Sequence, residues 1–244
     1  MKQQLIECVP NFSEGRDLTI IKQITNEIES VDGVKLLDVD PGAATNRTVV
    51  TFVGTPEAVM EAAYKAIVKA GEIIDMSKHK GEHARMGATD VCPLIPVANI
   101  SMEETSQWAV KLAKRVGETT HIPTYLYGAS QPNTKRNVLS IIRTGEYEGF
   151  FEKIKRPEWK PDFGPATYSA RSGATVIGAR DFLIAYNINL NTTSTRIANR
   201  IAFDVRETGR VVREGNPFTG KIKTDEHGEP VRIPGTCKAV QAVG

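Results

Sequence analysis

Between Leu5 and Val97 short apolar or β-branched runs bounded by turn residues alternate with segments whose apolar residues recur at helical spacing, and that succession narrows the possible folds more than any other feature. Leu5 to Val9 reads as a short strand. The turn-rich Pro10-Asn11-Phe12-Ser13-Glu14-Gly15 then leads into Leu18, Ile21, Ile24 and Ile28 at helical spacing. After the break at Asp32-Gly33, a strand from Val34 to Val39 and the β-branched run Thr48 to Val53 flank a polar turn, Asp40 to Asn46. Pro56 suits a helix start, and Val59, Ala63, Ile67, Ala70 and Ile74 mark one apolar face of that helix. Val91 to Val97, interrupted by Pro93 and Pro96, supplies the last strand. The order β-α-β-β-α-β predicts an α+β protein, a ferredoxin-like sandwich with two helices on one face of an antiparallel sheet.

A further amphipathic helix carrying Trp108, Leu112 and Val116, and a strand at Thr124-Tyr125-Leu126-Tyr127, extend this first domain. The chain then passes through Trp159-Lys160-Pro161-Asp162 into a Gly- and Ser-rich stretch, which places a boundary near residue 180 and divides the chain into 1–180 and 181–244. Beyond the boundary the pattern predicts a strand from Phe182 to Leu190, a helix from Thr195 to Arg206 and a strand from Cys237 to Val243. Thr208 to Gly235 is polar, rich in Gly and Pro, and reads as a long mobile loop. So few elements make only an incomplete second ferredoxin-like half with too little apolar surface to stand alone, so the expectation is a shortened form of a longer protein.

Composition excludes several classes. With 40% hydrophobic and 25% charged residues the chain is neither disordered nor collagen-like. No apolar run approaches the ~20 residues of a membrane span, and the N-terminus lacks a signal-like core, so a cytoplasmic location is expected. Thirty-one basic against twenty-nine acidic residues predict no nucleic-acid partner. Cys8, Cys92 and Cys237 match no metal spacing or disulfide framework and read as small apolar residues.

Reactive side chains crowd into Asp75 to Asp90, where His79 and His83 stand among Lys78, Lys80 and Arg85. A basic loop with histidines suits an anionic substrate. A nearby carboxylate can orient an imidazole for proton transfer, and Glu82, Asp40 and Asp38 are the candidates. His79-Lys80-Gly81-Glu82-His83 also fits the HxxEH spacing of inverted zinc peptidases, which requires both histidines on one side of a helix. Gly81, Gly87 and the flanking cations favour a loop instead, so no metal is expected. A second segment, Pro161 to Ala174, offers small residues, hydroxyls, Tyr168 and Arg171, enough to wrap a heteroaromatic ligand or merely to connect two elements. Asn11, Ser13, Glu14 and Arg47 fall at strand ends or in adjacent loops, where side chains commonly reach a ligand, and turn formation or helix capping explains Asn11 and Ser13 equally well.

Through Glu7-Cys8-Val9-Pro10-Asn11-Phe12-Ser13-Glu14-Gly15, Leu37-Asp38-Val39-Asp40, Thr45-Asn46-Arg47-Thr48, Thr51-Phe52-Val53-Gly54 and His79-Lys80-Gly81-Glu82-His83, the sequence resembles the formiminotransferase family. The likeness continues through Arg85-Met86-Gly87-Ala88, Asp90-Val91-Cys92-Pro93, Tyr125-Leu126-Tyr127-Gly128, Pro161-Asp162-Phe163-Gly164-Pro165 and Ala185-Tyr186-Asn187-Ile188-Asn189-Leu190.

The resemblance implies two ferredoxin-like subdomains with a folate tunnel between them, and transfer of a formimino group from formiminoglutamate to tetrahydrofolate, a co-substrate, in histidine breakdown. It assigns the catalytic role to His83 with Asp40 as acidic partner, and the folate lining to Gly164, Pro165, Ala166, Thr167, Tyr168, Ser169, Ala170, Arg171, Ser172 and Gly173. Both substrates are carboxylates, so Arg47, Lys80 and Arg85 become candidate clamps. A homodimer is implied as well. The rivals are a folate-binding homologue or fragment without activity, and the zinc peptidase.

Overall fold

The computed structural model describes residues 2–184, 188–217 and 219–238. The chain divides into two compact units, Met1–Leu183 and Ile184–Gly244.

In the first unit, strands β1 (Leu5–Cys8) and β2 (Asn11–Phe12) are followed by helix α1 (Leu18–Glu29), strands β3 (Val34–Gly42) and β4 (Arg47–Gly54), helix α2 (Pro56–Ile73) and strand β5 (Thr89–Ala98). β1 and β2 both lie between β4 and β5 and run antiparallel to each, while β3 pairs antiparallel with the outer side of β4. Helix α3 (Met102–Thr120) then crosses to β6 (Thr124–Gly128), short helices α4 (Leu139–Arg143) and α5 (Glu146–Lys153) follow, and β7 (Thr175–Ala179) enters between β5 and β6, parallel to both.

Local chemistry sets the helix ends. Asp17 caps α1 by accepting from the Thr19 and Ile20 amides, and Thr55 caps α2 with Pro56 at its first turn. Ser101 and Glu104 form a reciprocal capping box on α3. The small residues Ala62, Ala63, Ala66 and Ala70 let α2 approach the sheet closely, and β4 turns Thr48, Val50 and Phe52 toward it. Ile6, Ile24, Ile28, Phe52, Val59, Ile67, Leu94 and Leu112 fill this core. A second cluster, with Tyr125, Tyr127, Ile142, Phe150, Ile154 and Val176, packs α4 and α5 against the opposite face around β6 and β7.

Several expectations change here. β3 runs on through Gly42, so Asp40 stands in a strand opposite Val49 and not in the turn. β5 is continuous across its prolines. The Pro93 carbonyl still accepts from the Val9 amide, and a bulge at Leu5 and Ile6 lies opposite Pro96. The Gly- and Ser-rich stretch delivers the chain into β7, whose five residues are all buried.

The second unit contains α6 (Thr195–Val205) and a small antiparallel pair, β8 (Arg210–Val211) with β9 (Arg232–Ile233). Within the stretch read as a loop, the described residues between 208 and 235 form a paired ladder, β8 with β9 continued by bridges Arg213 to Ile222 and Thr224 to Pro230. Asp225 closes its tip by accepting from the His227 and Glu229 amides, and Thr236 and Cys237 donate backbone bonds to α6. The strands expected at Phe182 to Leu190 and Cys237 to Val243 fall partly outside the described residues, and their described parts are not strand.

Phe52 is fully buried whereas Leu37 is 51% exposed. Phe52→Ala is therefore expected to cost about 3–5 kcal/mol of stability, and Leu37→Ala less than about 0.5 kcal/mol. Urea unfolding of both variants measures this; equal midpoints would contradict the packing described.

Candidate active site

The site grows from the junction of the β3–β4 turn with the loop between α2 and β5. Asn46 adopts a left-handed conformation that a short polar side chain tolerates, with φ 48°. Its side chain accepts from the Gly15 amide at 3.0 Å and donates to the Lys80 carbonyl at 2.9 Å. Its own carbonyl accepts from His79 Nε2 at 2.8 Å. Three segments distant in sequence are thereby tied together. Gly81 lies so close to this turn that a Cβ would collide with the Thr45 carbonyl oxygen.

The two histidines do different work. His79 is buried, and because Nε2 donates to a carbonyl, Nδ1 must be the nitrogen that accepts from Arg85 Nε at 3.2 Å. Arg85 is itself consumed. Its guanidinium donates to Glu146 at 3.0 Å and to both oxygens of Glu148 at 2.9 and 2.6 Å, locking the loop to α5. Burial first, then the Arg85 charge, lowers the His79 pKa.

His83 is half-buried and differently poised. Its Nδ1 lies 2.6 Å from the Ala84 carbonyl, which only accepts, so Nδ1 carries the proton. Its Nε2 lies 2.5 Å from Nη1 of Arg47, which only donates, so Nε2 presents a lone pair. Burial, reinforced by Arg47 and Arg143, lowers the His83 pKa below the usual histidine range. Close by, the wholly buried Asp90 is paired with Arg143 and accepts from the Met86 amide at 2.9 Å. A neutral imidazole whose Nε2 lone pair meets a guanidinium, beside a second guanidinium and one buried carboxylate, is a proton acceptor in an electropositive setting.

The other sequence candidates fall around this centre. Asp40 is exposed on β3 and its charge acts on Arg47, but no hydrogen bond joins it to His83, both of whose nitrogens have other partners. Asp38 lies on the same strand, and Glu82 is exposed. Lys80 is also exposed, and its carbonyl serves Asn46. Ser13 donates to the Gly87 carbonyl at 2.7 Å, Glu14 accepts from the Arg16 and Asp17 amides, and Asn11 donates to the Val9 carbonyl at 3.1 Å. These three hold turns together.

Residues 164–173 return to the histidine loop. Arg171 and Ser172 carbonyls accept from the Met76 and Ala88 amides, Gly173 bridges Gly87, and Arg171 Nη2 donates to the Glu72 carbonyl at 2.6 Å. Gly173, with φ 66°, packs where any Cβ would collide with the Met86 carbonyl oxygen. Gly164, Ala166, Thr167, Ala170 and Arg171 are exposed, Pro165, Tyr168 and Ser169 half-buried, and Ser172 and Gly173 buried. Tyr168 gathers Tyr147, Phe150 and Phe151 around itself, the last at a centroid distance of 4.2 Å and 49% exposed.

The zinc geometry is not met. Residues 79–83 are not helical, and each histidine engages both ring nitrogens. Sequence reading missed Asn46 as the hub, the Asp90–Arg143 pair, and Glu146 and Glu148 as partners of Arg85. All of these contacts are long-range, and only the αL-tolerant Asn46 at the end of a turn carried a local signal.

Both histidines have folded pKa values below the unfolded value near 6.5. In the window between the two values the unfolded chain binds more protons. Their contribution to stability is therefore complete above about pH 6.5 and is lost as pH falls through that window to the folded values. Urea midpoints are expected to drop between pH 7.5 and 5, and nitrogen NMR is expected to show opposite neutral tautomers, Nε2–H for His79 and Nδ1–H for His83. Matching tautomers would contradict this assignment.

A family model described as the formiminotransferase domain, N-terminal subdomain, matches residues 5–180, and one described as the formiminotransferase domain matches residues 185–244. The chain is similar to a formimidoyltransferase-cyclodeaminase of Gallus gallus, 50% identical over 241 residues, which cover 99% of this chain and 41% of that protein. It is also similar to glutamate formimidoyltransferases of Thermoplasma acidophilum, 48% identical over 83% of this chain and 67% of the relative, and of Streptococcus pyogenes, 40% identical over 84% and 69%. The chain thus spans about two fifths of the length of the cyclodeaminase-fused relatives it matches.

Proposed function

Since the chain belongs to the formiminotransferase family, we propose that it is a glutamate formimidoyltransferase, moving the formimino group of N-formimino-L-glutamate to N5 of tetrahydrofolate. The products are 5-formiminotetrahydrofolate and glutamate, a step of histidine degradation. The observation that carries this reading is His83, a half-buried neutral imidazole whose Nε2 lone pair faces a guanidinium.

Transfer needs a C–N bond to form between the folate N5 and the formimino carbon, and the C–N bond to the glutamate nitrogen to break. His83 Nε2 takes the proton that N5 loses on attack and returns it to the departing glutamate nitrogen, so the imidazole ends neutral as it began. The Ala84 carbonyl stabilises the imidazolium that exists in between by holding Nδ1–H. Arg47, with no carboxylate hydrogen-bond partner among the described residues, suits a substrate carboxylate.

A flat heteroaromatic ring fits the chemistry of residues 164–173, where backbone amides and carbonyls stand beside half-buried Tyr168 and the exposed Phe151 ring against it as a stacking surface. Of the clamps suggested by sequence, Arg47 remains available for this role. Arg85 is committed to Glu146, Glu148 and His79, and Lys80 can only steer anions from the surface.

The reading extends to the fold and the assembly. The spatial order β5, β1/β2, β4, β3, all antiparallel and covered by α1 and α2 on one face, supports a ferredoxin-like sandwich with α3, β6 and β7 as extensions. A cytoplasmic homodimer completes the proposal; no helix among the described residues is long and apolar enough to cross a membrane.

His83→Ala is expected to lower turnover about 10²–10⁴-fold while folate affinity stays within about threefold of wild type, as read by a spectroscopic transfer assay and by calorimetry. Turnover retained in the variant would remove His83 from the mechanism.

A further inference from the structure

Arg47 opens β4 directly after the Asn46 hub, so the register of the β3–β4 pair fixes its position. Its guanidinium is half-buried, and among the described residues its side-chain hydrogen bond goes to an imidazole and not to a carboxylate. The nearest acids are otherwise disposed. Asp90 is taken by Arg143 and the Met86 amide, and Asp40 is exposed to water. Burying a cation without an anionic partner is costly, and Arg143 adds like charge. Such a guanidinium prefers a carboxylate, with which it forms two charge-assisted hydrogen bonds, over a single neutral nitrogen.

The one lone pair of His83 able to accept a proton is the one Arg47 covers. We propose that Arg47 is a positioning residue that masks His83 Nε2 until a carboxylate of the glutamate-bearing substrate draws its guanidinium away, so that recognising the donor and unmasking the base are one event. This inference rests on the transferase reading. It makes carboxylate recognition a requirement for turnover and not only for binding, since a donor without the carboxylate leaves the base covered. It also protects against idle proton traffic when no donor is bound.

The groups facing His83 are Arg47 from β4, Asp90 from β5 and Arg143 from α4, with Asp40 of β3 acting through Arg47 and exposed Glu82 and Lys80 on its own loop. Replacing Arg47 by Met removes a cation that disfavours imidazolium, so His83 is expected to titrate at higher pH in Arg47→Met than in wild type.

The test is nitrogen NMR of the full chain with labelled histidine, with L-glutamate as the probe. Saturating glutamate is expected to move the wild-type His83 Nε2 resonance to that of an unbonded pyridine-type nitrogen, and Arg47→Met to show that position already without ligand. In the transfer assay Arg47→Met is expected to raise the KM for the donor about ten- to a hundredfold, with the acid limb of its pH profile moved upward; Arg47→Lys restores part of the loss. Glutamate binding with the resonance unmoved, no glutamate binding at all, or a variant with an unchanged limb would each overturn the masking role. If Arg47→Met does not fold, the wild-type titration decides alone. A chain in which glutamate releases His83 but no transfer occurs would keep the masking and reject the transferase reading.

Discussion

Everything at the candidate site depends on Asn46. One amide and one carbonyl hold the turn before β4, the loop carrying both histidines and the segment leading into α1. Each bond alone contributes about 0.5–1.5 kcal/mol, but the three share one residue, so losing it loosens all three segments together. Arg47 follows Asn46 in the chain, and His83 follows the loop that Asn46 fastens. The 2.5 Å contact between Arg47 and His83 is therefore a consequence of the hub.

The two histidines of one short motif illustrate how environment divides labour. His79 gives both nitrogens to the scaffold, one to Asn46 and one to Arg85, and Arg85 carries the connection on to α5. His83 gives only Nδ1 to the scaffold and meets with Nε2 the Arg47 guanidinium, whose side-chain hydrogen bond among the described residues goes to this imidazole. Residues 171–174 pair with Met76, Met86, Gly87 and Ala88 at the two ends of the histidine loop, so the strand crossover that inserts β7 between β5 and β6 also ties this segment to that loop. Topology thus does for the site what no local sequence feature can.

The first half of the fold was legible because its helices bury one face and repeat at helical spacing, while its strands appear as short β-branched or apolar runs between turn residues, as in β4, whose alternation shows only in burial. β7 was not, because it is buried on both faces and offers five small or apolar residues with no alternation. α4 and α5 are short and lack side-chain caps, which leaves nothing to read before tertiary packing is known. The second unit's ladder depends on two-residue strands and isolated bridges below any periodic signal. At the site, residue types announced an anion-binding loop with a base, and resemblance singled out His83. The duties of Arg85 and Arg47 were indistinguishable in sequence, because they turn on partners 61 and 36 residues away.

The most direct test follows the transferred carbon itself. Formiminoglutamate labelled with carbon-13 in the formimino group, mixed with tetrahydrofolate and this chain, is expected to lose its signal at the rate at which a folate-bound formimino signal and free glutamate appear together. A label that stays on glutamate while folate is bound, or that is released into water as formate and ammonia without reaching folate, would contradict the account.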